Sequence, residues 1–279
     1  MKLDSFINVV EDLEEHQFEE SVFWKSRSNL GGNFLSAPID QDKIQIHFKA
    51  FLAKWASYRH PIDWDKLTAA WGTQQQRVAQ SLSVCCLEDA MDSELFAASN
   101  LFQHLWESSI SGLGMTNISK LLAMGLPSVC VMWDQGIKKE FMENNPRRPS
   151  TRHVPQMTTY YLFLIHRRYE MNQIIEEASA KNSTDRITTI AWLEQLPQRV
   201  HKWERNKSLA KLIDEYYYWK PRLKANASKT LDAWFAVSPD TYNSLWYEGI
   251  STEELYFVLK KQHPQIFQSI IFKPGGSLA

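Results

Sequence analysis

The stretch that decides the interpretation of this chain runs from residue 110 to residue 141 and is ISGLGMTNISKLLAMGLPSVCVMWDQGIKKEF. Its first glycine pair, Gly112 and Gly114, predicts a tight turn, because glycine adopts positive φ without strain. Apolar residues then recur at helical spacing, with Thr116 or Asn117 available near the start of the helix. We therefore expect a helix that begins directly after a glycine turn.

The same stretch offers two kinds of chemical group. Backbone N–H groups in such a turn, at the start of a helix, form a ready site for a phosphate. A Cβ at Gly112 or Gly114 would obstruct that approach and strain a turn with positive φ. The apolar run at 129–133 leads into Asp134, which we expect to cap a second helix from about Gln135. A carboxylate there is held by backbone donors and the helix dipole, so it stays ionised at neutral pH.

The rest of the chain is typical of an all-α protein. Glycine and proline are scarce, at 10 and 11 of 279 residues, and apolar residues recur at helical spacing in several segments. The proline-rich loop at 144–149 is the best candidate for a domain boundary. We predict two helical domains in three segments. N-terminal helices at 1–50 are candidates to pack on the C-terminal block, a middle domain spans 51–150, and a C-terminal helical domain spans 151–279.

Composition excludes several classes of protein. No run of about 18 apolar residues occurs, so we predict no membrane span and no membrane partner. The acidic start lacks the apolar region of a signal peptide, so we expect a cytoplasmic protein. Cys85, Cys86 and Cys130 are too few for a four-thiolate iron–sulfur cluster and lack the spacing of a zinc site. We expect no metal, no cofactor and a monomer.

Charge is sorted along the chain, although the net charge is only −1. Residues 1–20 carry seven acidic side chains and one lysine. Residues 138–168 carry seven basic and two acidic side chains, and residues 199–229 carry nine basic and three acidic ones. Such sorting is typical of a surface that faces a polyanion. A second interpretation stays open and is slightly favoured by charge alone, in which long helices are solvated by whichever charge they carry.

Together these features resemble the helix-hairpin-helix DNA glycosylases. That family has a Leu-Pro-Gly-Val-Gly hairpin, to which Ile-Ser-Gly-Leu-Gly at residues 110–114 is similar. The family's catalytic aspartate follows the second glycine at the separation found here, since Asp134 lies 20 residues after Gly114. The resemblance implies a helix-hairpin-helix core that binds double-stranded DNA, with Asp134 as a catalytic residue. It also implies a divergent member of the family, without an iron–sulfur cluster.

One position in the hairpin indicates the type of reaction. Family members that also cut the DNA strand carry lysine two residues after the second glycine, where this chain has Thr116. The resemblance therefore implies a monofunctional enzyme that uses water. Lys120, one helical turn later on the same face, is a second catalytic candidate. It could reach the pocket as a cation or act as an off-register nucleophile, or it could be an ordinary solvated lysine.

Other candidates for DNA contact lie on both sides of the hairpin. By resemblance, Gln74 or Gln75 fills the space left by an extruded base, although a polar helix end would explain both glutamines equally well. The loop that follows Asp134 by one short helix carries three arginines that suit phosphate contacts, or that belong to an exposed linker. The predicted DNA-binding set is Gly112, Gly114, Thr116, Gln74, Gln75, Arg147, Arg148 and Arg152.

The predicted activity is that of a DNA N-glycosylase, a hydrolase of N-glycosidic bonds. It would extrude a damaged or modified base and remove it to leave an abasic site. The role would be DNA repair or, if the substrate is a hypermodified phage base, antiviral defence. Two other functions stay open: a non-enzymatic helical DNA-binding or scaffolding protein that uses the hairpin as a phosphate clamp, and a protein whose charged faces bind another protein. Asp134 favours the enzyme, because a clamp needs no carboxylate there.

Overall fold

The structure is a computed structural model that describes residues 1–16, 20–55, 58, 60–133, 137, 141, 156–200, 207–235, 256–258 and 260–261. Within these residues the regular secondary structure is helical, and no strand occurs. The prediction of an all-α protein is therefore confirmed. None of the helices in these ranges is both long enough and apolar enough to cross a membrane.

The structure gives the following α-helices within the described residues. They are α1 (Leu3–His16), α2 (Glu20–Leu30), α3 (Gln41–Lys54), α4 (Trp64–Ala70), α5 (Thr73–Leu82), α6 (Asp92–Glu107), α7 (Met115–Gly125), α8 (Gln156–Asn182), α9 (Arg186–Glu194), α10 (Leu196–Val200) and α11 (Leu209–Phe235). A short 3-10 helix, Phe34–Ser36, lies between α2 and α3.

Three of these helices begin at an aspartate that caps them. The carboxylates of Asp40, Asp63 and Asp185 each accept a hydrogen bond from the backbone N–H three residues later, at the start of α3, α4 and α9. The N–H donated by Lys43 lowers the pKa of Asp40, because it stabilises the charged carboxylate. The sequence specifies these helix starts locally, because an N-cap needs only one acceptor next to the first turn.

The helices share one core. α6 packs along α8, and α1 packs against α10 and α11, so the first helix lies on the C-terminal block. The predicted segment limit at residues 50 and 51 falls inside α3, which continues without a break from Gln41 to Lys54. No linker therefore separates the two predicted segments at that point. The buried apolar side chains of the described ranges form a single cluster that reaches from α1 to α11.

Part of the sorted charge is paired within the protein. Lys207, two residues before α11, donates hydrogen bonds to Glu14 of α1 and to Glu215 of α11, and all three side chains are buried. Asp12 of α1 accepts a hydrogen bond from Lys260. The acidic start and the basic C-terminal region thus partly neutralise each other. Neither a polyanion-facing surface nor simple solvation of helices accounts for these residues.

Candidate functional site

A tight turn joins α6 to α7, where the glycine pair predicts it. Gly112 has φ +73°, in the left-handed region that favours glycine, and the N–H of Leu113 donates to the carbonyl of Ile110 at 3.1 Å. The side-chain amide of Asn117 donates to the carbonyl of Gly112 at 3.1 Å, which holds the turn against the first turn of α7. Gly114 is the N-cap of α7, and no side chain caps that helix.

The two glycines of the turn have different roles. A Cβ on Gly112 would lie 2.3 Å from the carbonyl oxygen of Pro61, so glycine is required there by close packing against another backbone segment. Gly114 has φ −73°, and a Cβ there would meet nothing within 4 Å. The expectation that a side chain at Gly114 would strain the turn is therefore wrong, because Gly112 has a positive φ and Gly114 does not. The space beside Gly114 is open.

The open side of the turn presents unpaired backbone donors. Within the described part of the chain, the N–H groups of Gly114, Met115 and Thr116 donate no hydrogen bond. A shallow groove of about 670 Å³ lies beside Gly114. Its walls come from the turn and from the end of α6, and its lining residues are His60, Gln103, Trp106, Glu107, Ser109, Ile110, Gly112, Leu113 and Gly114. Unpaired N–H groups at a helix start suit an anion, and Gly114 places one of these residues at the edge of the groove.

Lys120 is buried in the second turn of α7. Its side chain is only 4% exposed, and its Nζ lies 5.5 Å from the centre of the Trp55 ring. The interpretation of Lys120 as a solvated lysine is therefore wrong, because the folded chain buries it beside the Trp55 ring. The remaining alternatives are a cation in a pocket and a nucleophile.

A cluster of buried charges adjoins Lys120. Lys211 of α11 places its Nζ 5.7 Å from the same Trp55 ring and 3.2 Å from a carboxylate oxygen of Asp214. Lys211 also lies 3.4 Å from Glu215, which it shares with Lys207. Each of these charged side chains is at most 4% exposed. Buried charges are rare unless they are paired, and they concentrate at functional sites.

None of these residues of α11 was among the candidates predicted from the sequence. The sequence feature that marks them is their spacing. Asp214 and Glu215 follow Lys211 by three and four positions, so the three side chains lie on one face of a helix. The apolar residues around them cover every side of the helix, as the burial of all of 209–217 shows. A charged triplet inside a helix that is apolar on all faces is therefore the pattern that indicates the cluster.

The chain that leads to Asp134 is anchored on α7. The backbone N–H of Trp133 donates to the Oγ of Ser119 at 2.8 Å, and the hydroxyl of Tyr160 donates to the carbonyl of Val131 at 2.9 Å. The Trp133 ring packs edge-on against Phe163, with ring centres 4.5 Å apart. The segment before Asp134 is thus buried and irregular, without the strand-like conformation that its apolar residues suggested. Asp134 itself lies outside the described residues.

The other predicted DNA contacts fall in two groups. Gln74 and Gln75 lie in the first turn of α5, after the N-cap Gly72, whereas the sequence suggested the end of a helix. A helix does end just before them, because α4 stops at Ala70 and α5 begins after Trp71 and Gly72. Neither glutamine lines the groove at the turn. Arg147, Arg148 and Arg152 lie outside the described residues.

The cysteines are unsuited to nucleophilic chemistry. Burial raises the pKa of the Cys130 thiol to about 12, and desolvation raises the pKa values of Cys85 and Cys86 to about 11. A thiolate is the reactive form of cysteine, so all three side chains are unreactive thiols at neutral pH. In the ranges that the structure describes, no three His, Cys, Asp or Glu side chains are grouped so as to hold a metal ion.

The site therefore consists of the turn with its unpaired donors, the buried Lys120 beside Trp55, and the anchored chain that leads to Asp134. Comparison of the chain with protein-family models, with curated proteins and with solved structures gives no match.

Proposed function

We propose that this protein is a monofunctional DNA glycosylase that excises a damaged or modified base from double-stranded DNA. The observation that carries the proposal is the hydrogen bond from the N–H of Trp133 to Ser119, because it fixes the chain directly before Asp134 to α7. The helix that starts at the unpaired donors is therefore also the helix that holds the approach to the carboxylate. One rigid element would link DNA binding to the chemistry.

In the proposed mechanism, the turn binds a DNA phosphate through the N–H groups of Gly114, Met115 and Thr116. One nucleotide leaves the stack, at a cost of roughly a few kcal/mol that is least for a weakly paired base. The Asp134 carboxylate then stabilises the positive charge that develops at C1′ as the N-glycosidic bond breaks, and it orients the attacking water. The base departs with the bonding electron pair, the water oxygen bonds to C1′, and the proton that the water loses balances protonation of the base, so an abasic site remains.

Lys120 has two possible roles in this proposal. As a buried cation it would favour electron-rich groups of the extruded nucleotide, and as a neutral amine it could attack C1′ and form a Schiff base. Strand-cutting members of the family that this chain resembles carry lysine at the position of Thr116. The threonine therefore favours the first role, that of a cation. Borohydride reduction during the reaction distinguishes them. We expect no trapped protein–DNA adduct. An adduct that disappears in Lys120→Ala would instead identify Lys120 as the nucleophile.

The experiment that tests the activity uses duplexes with single lesions or modified bases, including hypermodified cytosines of phage DNA. Each duplex is incubated with the protein and then heated in alkali, which cleaves the strand only at abasic sites. Cleavage at one defined base supports the proposal, and the identity of that base separates a repair role from antiviral defence.

The second candidate is a non-enzymatic DNA-binding or scaffolding protein. The unpaired donors and the open groove favour it as much as they favour the enzyme, since both need a phosphate contact. This candidate predicts salt-dependent duplex binding without abasic sites on any substrate. If the loop arginines bind phosphates, Arg148→Ala should lower the salt slope of binding by about one.

A further inference from the structure

Trp106 exposes a large aromatic face beside the turn. It lies in the last turn of α6, lines the groove and is 40% exposed. Within the described ranges, its indole makes no ring–ring or cation contact, whereas Phe96 on the same helix packs edge-on against Tyr161. An indole of this size usually lies in a core or at an interface, so its exposed face is available to a ligand.

The two walls of the groove differ in chemistry. On the side of the turn lies Gly114, one of the three residues with an unpaired N–H group, and the lining residue Ser109 accepts a hydrogen bond from the ammonium of Lys66 at 3.2 Å. On the side of α6 lie Trp106 and the carboxylate of Glu107, which accepts a hydrogen bond from Gln103 at 2.6 Å. A phosphate is favoured at the first wall and repelled at the second by Glu107. A flat, uncharged group suits the wall that Trp106 forms.

We propose that Trp106 stacks on an unpaired base of the DNA strand whose phosphate is bound at the turn. This inference rests on the DNA partner of the proposed function, and it names the form of DNA that the groove takes. In a regular duplex both faces of each base are covered by neighbours, so only a base that has left the stack offers a face to the indole. Base–aromatic stacking is tolerant of base identity, because every base has a π face. The groove therefore favours DNA with a disrupted pair.

The experiment compares two fluorescein-labelled duplexes, one fully paired and one with three unpaired thymidines in its centre, by fluorescence anisotropy. The variants are Trp106→Ala and Trp106→Phe, and Phe96→Ala is the matched control. Phe96 is 45% exposed on the same helix but does not line the groove. Unfolding in urea establishes that each variant is folded before its binding is measured.

We expect the wild-type protein to bind the interrupted duplex more tightly than the paired one. Trp106→Ala should lose about tenfold in affinity for the interrupted duplex and little for the paired one. Trp106→Phe should retain most of the preference, and Phe96→Ala all of it. The inference is overturned if the wild type has no preference, if Trp106→Ala keeps it, or if Trp106→Ala weakens both duplexes equally.

The excision assay separates this inference from the proposed function. If a preference that depends on Trp106 appears and no substrate yields abasic sites, the stacking site stands and the glycosylase proposal fails. If abasic sites form and Trp106→Ala leaves the preference unchanged, the glycosylase stands and the stacking site fails.

Discussion

The backbone N–H of Trp133 and the Oγ of Ser119 are joined by a hydrogen bond of 2.8 Å between two buried residues. The same hydroxyl donates to the carbonyl of Thr116 at 2.9 Å, so it connects the first turn of α7 to the chain before Asp134. Because a buried N–H needs a partner, this one serine fixes where the chain before Asp134 packs against α7. Its removal should therefore affect both stability and activity.

Ser119→Ala leaves the N–H of Trp133 buried without its acceptor. We expect the free energy of unfolding in urea to fall by about 1–3 kcal/mol, and base excision to fall further than stability alone explains. Ser99→Ala is the matched control, because Ser99 is equally buried but donates only to the carbonyl of Leu95 in its own helix. Equal effects of the two substitutions would show that the anchor has no special role.

Gly112 and Gly114 should respond differently to a methyl group. Gly112→Ala places a Cβ against the carbonyl of Pro61 at positive φ, so we expect a loss of at least about 1–2 kcal/mol in unfolding free energy. Gly114→Ala enters open space at an ordinary φ and should change stability by less than about 0.5 kcal/mol. If the turn binds phosphate, Gly114→Ala should still weaken binding to every duplex alike. A stable Gly112→Ala would contradict the packing that the structure gives.

Lys207 should contribute far more to the free energy of unfolding than an exposed lysine that also pairs with a carboxylate of α1. Lys207→Met leaves Glu14 and Glu215 buried without their shared cation, so we expect a loss of about 3–5 kcal/mol in urea unfolding. Lys181→Met is the control, since Lys181 also pairs with α1, through Asp4, but both side chains are more than half exposed. Its expected effect is about 0–1 kcal/mol. Comparable losses in both variants would contradict the burial of Lys207.

Glu88 should make the protein less stable as pH rises. Burial, with smaller contributions from Asp89 and Glu194, raises the pKa of Glu88 from 4.5 to about 7, and its Oε2 is buried without a hydrogen-bond partner in the described residues. The folded protein therefore binds a proton that the unfolded chain releases near pH 4.5. The stability it contributes is complete below that pH and is lost as pH rises through about 7.

The variant that tests this is Glu88→Gln, measured by urea unfolding from pH 4 to pH 8. Between pH 4 and pH 8 the free energy of unfolding of the wild type should fall by on the order of 3 kcal/mol because of Glu88. Glu88→Gln should abolish most of this fall. Burial also raises the pKa of Glu194, so a smaller slope of the same sign should remain. An unchanged slope in Glu88→Gln would show that Glu88 is solvated.

Local patterns predicted the all-α class, the glycine turn and the start of α7, because each depends on residues within a few positions of one another. The burial of Lys120 could not be predicted, because the same helical spacing fits a lysine in solvent and a lysine under Trp55. The pairing of Glu14 with Lys207 joins residues 193 positions apart, so no local pattern contains it. The role of Gly112 likewise depends on Pro61, which approaches only in the folded chain.

The most direct test of the central claim is excision by Asp134→Asn, measured as alkali-sensitive cleavage of the duplex that the wild type cleaves best. Asparagine still suits an N-cap, so the fold and DNA binding should persist, while the charge that would stabilise C1′ is lost. We predict wild-type affinity for that duplex and a fall in the excision rate of at least about 100-fold. Excision by Asp134→Asn at the wild-type rate would contradict the account.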